Sequence, residues 1–176
     1  MNDMEKPGFL GYYAGAHWFH GTVALVLICL FSLWLVNALL DAEEAAERMV
    51  VESAVRNMRV GLKVAMGEAV IAGRDSEVAG WAGSNPLRWL GAPPGGDLGE
   101  CAAGGGQALP EASWCFDRAA GQLLYRPRHV RYLQMAAGAD AEKLLRWRVV
   151  KRGGATGGGF VGVSVELVTP YRWVVE

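Results

Sequence analysis

Three cysteines and three histidines are the most reactive side chains in this sequence, and their positions limit what they can do. Cys29 falls inside an apolar run, so the soluble part offers Cys101, Cys115 and a single histidine, His129. Cys115 with His129 has the types required for a thiolate nucleophile and its base, but such a pair also needs a third group to orient the imidazole. His129 instead follows "YRPR", where a turn or strand edge would leave it solvated. Cys101, Cys115 and His129 could together ligate a metal, yet they lack the paired short spacings of zinc sites. A disulfide between Cys101 and Cys115 is the favoured reading. It would close a glycine-rich loop of roughly fifteen residues, worth about 3 kcal/mol in the chain-entropy account. No catalytic residue, metal or cofactor is therefore expected, and the chain is not expected to be an enzyme. "GGATGGG" (Gly153 to Gly159) is glycine-rich like a phosphate cradle, but no Lys-Ser/Thr pair or helix follows it, so a hairpin turn is expected there.

The elements that would carry these residues begin with "GTVALVLICLFSLWLVNALL", Gly21 to Leu40, which has no charged residue. About twenty such residues suffice for a helix to cross a bilayer. Tyr12 to His20 precede it as an aromatic and histidine cluster, suited to a membrane interface. Beyond it, "DAEEAAERMVVESAVRNMRVGLKVAMGEAVIAG" (41–73) keeps helical periodicity. Ala42, Ala46, Val50, Ala54, Met58, Leu62, Ala65 and Ala69 are assigned to the buried face, and Glu44, Arg48, Glu52, Arg56, Arg59 and Lys63 to a polar one. Glu44 and Arg48, like Glu52 and Arg56, have the favourable i,i+4 order. No proline separates the two segments, so one continuous helix is expected.

A Gly- and Pro-rich connection follows, over residues 74–113, and the period then changes to two. Trp114 to Phe116, Leu123 to Arg126, Val130 to Met135, Leu144 to Lys151, Phe160 to Val168 and Tyr171 to Val175 read as strands. In the fifth, Val161, Val163, Val165 and Leu167 alternate with Gly162, Ser164 and Glu166, one face buried and one exposed. The expected fold is α+β: a long N-terminal helix, transmembrane then amphipathic, packed on an antiparallel sheet. Its divisions are a short segment 1–20, a span 21–40, an amphipathic continuation 41–73, a connection 74–113 and a sheet domain 114–176.

Net charge is −1 with no Lys/Arg block, so no nucleic-acid partner is expected; the lipid bilayer is. Two signals disagree on topology. Arg48, Arg56, Arg59 and Lys63 after the span, against Lys6 before it, place the C-terminal part in the cytoplasm. The Cys101 and Cys115 pair places it in an oxidising compartment, which is the orientation expected here. Seven tryptophans exceed what one small core needs. Most of them are expected to fill the helix–sheet interface; Trp81, Trp89 and Trp147 are also candidate partner contacts, as is the basic group Arg126, Arg128 and Arg131. Arg146, Arg148, Lys151 and Arg152 extend that group, and a solvated face is the plainer explanation for all seven.

This organisation resembles the type IV pilins and type II secretion pseudopilins. A helix that is lipid-embedded in its first half and amphipathic in its second, a glycine-rich connection and a sheet carry the resemblance. So does the hairpin "SWCFD" to "GQLLYRP", through Trp114, Phe116, Asp117, Gly121, Leu123 and Tyr125. At the N-terminus Gly8 and Phe9 match the family's processing junction, but Tyr13 stands where filament subunits carry a glutamate. The resemblance implies an accessory component of such an assembly in a bacterial inner membrane, its C-terminal domain periplasmic. It would touch other pilin-like or secretion-assembly membrane proteins. The alternative is a membrane-tethered sensory or ligand-binding domain.

Overall fold

Helix α1 runs without interruption over Phe9–Ile71, beginning before the apolar run and ending two residues short of Gly73. The computed structural model describes residues 9–102, 105–136, 143–153 and 162–174, with side chains from Trp18 onward except that of Gln107. The expectations for residues 1–8, most of the "GGATGGG" turn, Val161 and Val175 lie outside these, as do the side chains of Tyr12 to His17. The chain divides into two units, Met1–Glu43 and Glu44–Glu176.

In the first unit α1 is apolar on every side. Its best 18-residue window has a mean hydropathy of 2.6, and none of it is buried inside the protein. Leu25, Ile28, Phe31 and Trp34 point in different directions and are all exposed. A core helix of a soluble domain would bury at least one stripe of such residues. This helix is long and apolar enough to span a membrane, with its backbone polar groups satisfied internally.

In the second unit α1 lies on a mixed sheet. Val51, Ala54, Val55, Met58, Leu62 and Ala69 pack with Trp114, Leu123, Tyr125, Leu145, Trp147, Val149, Val163 and Val165 in one core. The sheet contains β1 (Asp97–Glu100), β2 (Ser113–Asp117), β3 (Gln122–Arg126), β5 (Leu145–Arg152) and β6 (Gly162–Leu167), in the order β1-β2-β3-β5-β6. Strand β5 alternates strictly, with Leu145, Trp147 and Val149 buried toward the helix and Arg146, Arg148 and Val150 half-buried. Val163 and Val165 repeat the pattern in β6.

Four expectations change. The sheet is not wholly antiparallel, because β1 pairs parallel to β2. Nor do the strands form a single sheet: β4 (Leu133–Met135) and β7 (Tyr171–Trp173) form a separate two-stranded antiparallel sheet. The connection after α1 is also more ordered than its composition suggests. It holds a short helix α2 (Asp75–Val78), three 3-10 turns and β1. Asn85 opens the second turn, its side-chain oxygen accepting from the Leu87 N–H at 3.0 Å with Pro86 in the first helical position.

A fourth change concerns the buried face of α1. Ala42, Ala46 and Val50 are exposed, whereas Glu44, Val51 and Val55 are buried. Successive i+4 steps from Ala42 advance about 40° each around the helix, so the expected series starts off the core face and reaches it only at Ala54. The observed series 44, 51, 55, 58, 62, 69 mixes longer and shorter steps and stays on it.

Candidate functional site

The turn of α1 that opens the second unit carries two glutamates on the core side, where hydrocarbon would be expected. Glu44 is 2% exposed, and its Oε1 accepts from the backbone N–H of Tyr132 and from the indole Nε1–H of Trp173, both at 2.9 Å. Glu47, one turn on, accepts from the Tyr125 hydroxyl at 2.8 Å and the Arg128 N–H at 2.8 Å through Oε1. Its Oε2 accepts from the His129 N–H at 2.9 Å and lies 3.0 Å from the ring Nδ1.

Together the carboxylates hold Tyr125 to Tyr132, the stretch joining β3 to β4, and reach the C-terminal strand through Trp173. The local sequence prepares this. Pro127 has no N–H to leave unpaired and cannot extend β3 in a ladder, so the chain turns away and presents consecutive N–H groups of Arg128 and His129 to one carboxylate. A carboxylate is acceptor-only, so two oxygens facing several donors is a stable arrangement when buried. Burial of Tyr125, then the hydrogen bond to Glu47 and the charge of Glu47, push its hydroxyl well above the ordinary tyrosine range; Arg128 acts in the opposite sense.

This cluster holds chain segments together and offers no nucleophile. His129 is taken up by Glu47. Cys101 and Cys115 are joined in a disulfide with Cα atoms 4.9 Å apart, so neither is a thiolate or a ligand. Cys115, Leu109, Leu124 and Leu144 make a small second core on the sheet face away from α1, with Cys101 against it. The disulfide thus pins the end of β1 to the middle of β2. Cys29 is free and exposed. Among the described residues no group of three His, Cys, Asp or Glu side chains is placed to hold a metal.

The candidate contact residues are scattered. Trp147 is 1% exposed in the main core, against Trp114 at 5.5 Å between ring centroids, so it has no surface left for a partner. Trp81 and Trp89 are half-buried and stack with each other at 5.7 Å, with the Arg88 guanidinium over Trp89. The arginines do not form one basic face. Arg126 donates to the Leu109 carbonyl at 3.0 Å and Arg148 to the Ala120 carbonyl at 2.8 Å, while Arg152 pairs with Glu166. Arg128 and Arg131 are exposed on the clamped stretch, Arg131 over the Tyr132 ring.

Glu44 and Glu47 were legible only as polar-face or acidic-cluster residues, and Arg48 pairs with Glu52 at 2.7 Å rather than with Glu44. Continuing the buried series of α1 backward from Val51 by three- and four-residue steps leads to 47 or 48 and then 44, and that is the signal that would have exposed them. Comparison of the chain with protein-family models, with curated proteins and with solved structures gives no match.

Proposed function

We propose that this protein is a single-pass, pilin-like accessory component of a type IV pilus or type II secretion type assembly. It acts by protein–protein contact and performs no chemistry. What supports the reading above all is α1 itself: one unbroken helix is bare hydrocarbon over Gly21 to Leu40 and, from Glu44 on, the backing of a sheet. A tethered enzyme would need convergent reactive groups, and the polar groups that do converge, at Glu44 and Glu47, are taken up by the protein's own backbone and side chains. The disulfide suits an oxidising periplasm facing a bacterial inner membrane. Tyr13 in place of the glutamate of filament subunits favours an accessory role over that of the repeating subunit.

The test is to purify the full-length chain from its native membranes in mild detergent after brief crosslinking and to identify what accompanies it by mass spectrometry. Pilin-like or secretion-machinery membrane proteins are expected, in amounts comparable to the bait. A chain that carries none of them but holds a small molecule through purification would replace this reading with a membrane-tethered ligand-binding domain.

A further inference from the structure

The part of α1 that backs the sheet has a second apolar face pointing away from it. Met49, Val50, Val60, Val64, Val70 and Ile71 are large, apolar and between 48% and 89% exposed. Scattered exposed hydrophobics need no explanation, but these share one side of one helix. Beside Val50 and Asn57 the face is walled by the loop of Leu90 and Pro94, which encloses a cleft of about 370 Å³.

We propose that this face docks a second copy of the chain, helix against parallel helix, in a two-fold symmetric dimer. The exposed positions 46, 50, 53, 57, 60, 64, 67 and 71 step by four and three alternately, a 3.5-residue repeat, as the buried positions 44, 51, 55, 58, 62 and 69 do on the opposite face. One seam of the repeat is Val50, Asn57, Val64 and Ile71; the other is Ala46, Ser53, Val60 and Gly67. Val50, Val64 and Ile71 with the single Asn57 among them match the first-seam half of the parallel two-stranded pattern, the asparagine meeting its own copy and setting register, although the second seam has no leucine. Small residues in the second seam allow the backbones to approach closely.

Charge complementarity points to the same occupant. In a parallel pair a residue just before the first seam meets the residue five positions later on the other helix. Lys63 then faces Glu68 of the other copy, and by symmetry the contact forms twice. Both side chains are exposed. A shared membrane supplies the remaining constraint: two copies anchored by the same apolar run must lie parallel and at the same depth, the arrangement in which Asn57 meets Asn57. The inference rests on the exposed face of α1 and on the membrane anchor and goes beyond the assembly reading, so the dimer can stand if copurification with secretion components fails.

The experiment uses the full-length chain in its native membrane, with Cys29→Ser removing the free thiol and single cysteines placed at exposed positions of α1. With a short bismaleimide, V50C and V64C should yield a crosslinked product of twice the chain mass, several-fold more than E52C, which lies off the seam. K63E should lower the dimer yield of V64C several-fold, and K63E combined with E68K should restore it. The restored yield also excludes misfolding as the cause of the loss. Equal yields at positions 50, 52 and 64 would overturn the proposal. So would crosslinks at 50 and 64 to a protein of another mass, or a K63E variant that dimerises as well as its parent.

Discussion

At the scale of single residues, the second unit depends on two buried acceptors. Removing Glu44 leaves the Trp173 indole N–H and the Tyr132 N–H without their acceptor in a site closed to water. Glu44→Ala should therefore lower stability by about 2–4 kcal/mol, with each orphaned donor costing about 1–3. Trp173→Phe removes one of those donors. In the Glu44→Ala background it should cost at least about 1 kcal/mol less than in the parent, a coupling readable from denaturant unfolding of the detergent-solubilised protein. Strict additivity would mean that the indole bond contributes nothing.

Tyr125 gives the same region a pH dependence. Its hydroxyl holds its proton more tightly folded than unfolded, because of burial first and Glu47 second. A raised acid pKa makes a stabilising contribution that is complete below the unfolded value of 10.0 and is lost as pH climbs above it. Tyr171, raised chiefly by burial, adds in the same direction. Stability should fall as pH rises past 10, and in Tyr125→Phe the fall should be shallower although the variant starts about 1 kcal/mol lower at neutral pH. Unfolding midpoints at neutral pH and above pH 10 for both chains check this; parallel alkaline slopes would refute it.

At the scale of elements, the contact between α1 and the turn Pro86–Trp89 is backbone on backbone. A Cβ at Gly61 would lie 2.1 Å from the Trp89 carbonyl oxygen. Alanine is the better helix former by about 1 kcal/mol, but forcing the turn and its stacked tryptophans outward should cost about 1–3 kcal/mol. Gly61→Ala should thus be destabilising, whereas Gly67→Ala, which meets no atom of its own chain, should be neutral or mildly stabilising in the undimerised protein. Thermal unfolding of the pair separates the two effects. Near β1 a similar closeness occurs at Gly96, whose φ of 79° and approach to the Ala112 carbonyl let β1 lie beside β2. That pairing could not be anticipated from composition, since "DLGE" lacks the β-branched residues by which strands announce themselves.

For the whole molecule, the disulfide is the observable that bears on compartment. Denaturing alkylation without reductant should attach one group per chain, at Cys29. Reduction first should raise that to three and lower the stability of the folded domain by about 3 kcal/mol. Three groups without reduction would mean that the domain resides in a reducing compartment, as the arginines and lysine after the apolar run suggest by themselves.

The long helix, the apolar run, the strands from Trp114 onward and the pairing of Cys101 with Cys115 were all legible in the sequence, for a common reason. Each rests on a local property: a charge-free length, a period of two, or a short loop between two thiols. Which side of α1 faces the sheet was decided only by tertiary structure, because two apolar stripes share that helix and a run of i+4 steps passes from one to the other. The parallel strand β1 and the separate pair of β4 and β7 likewise depend on partners distant in sequence. The roles of Glu44 and Glu47 were hidden most completely. A carboxylate beside a charge-free run reads as solvated until the fold brings a tryptophan, a tyrosine and a row of backbone N–H groups against it.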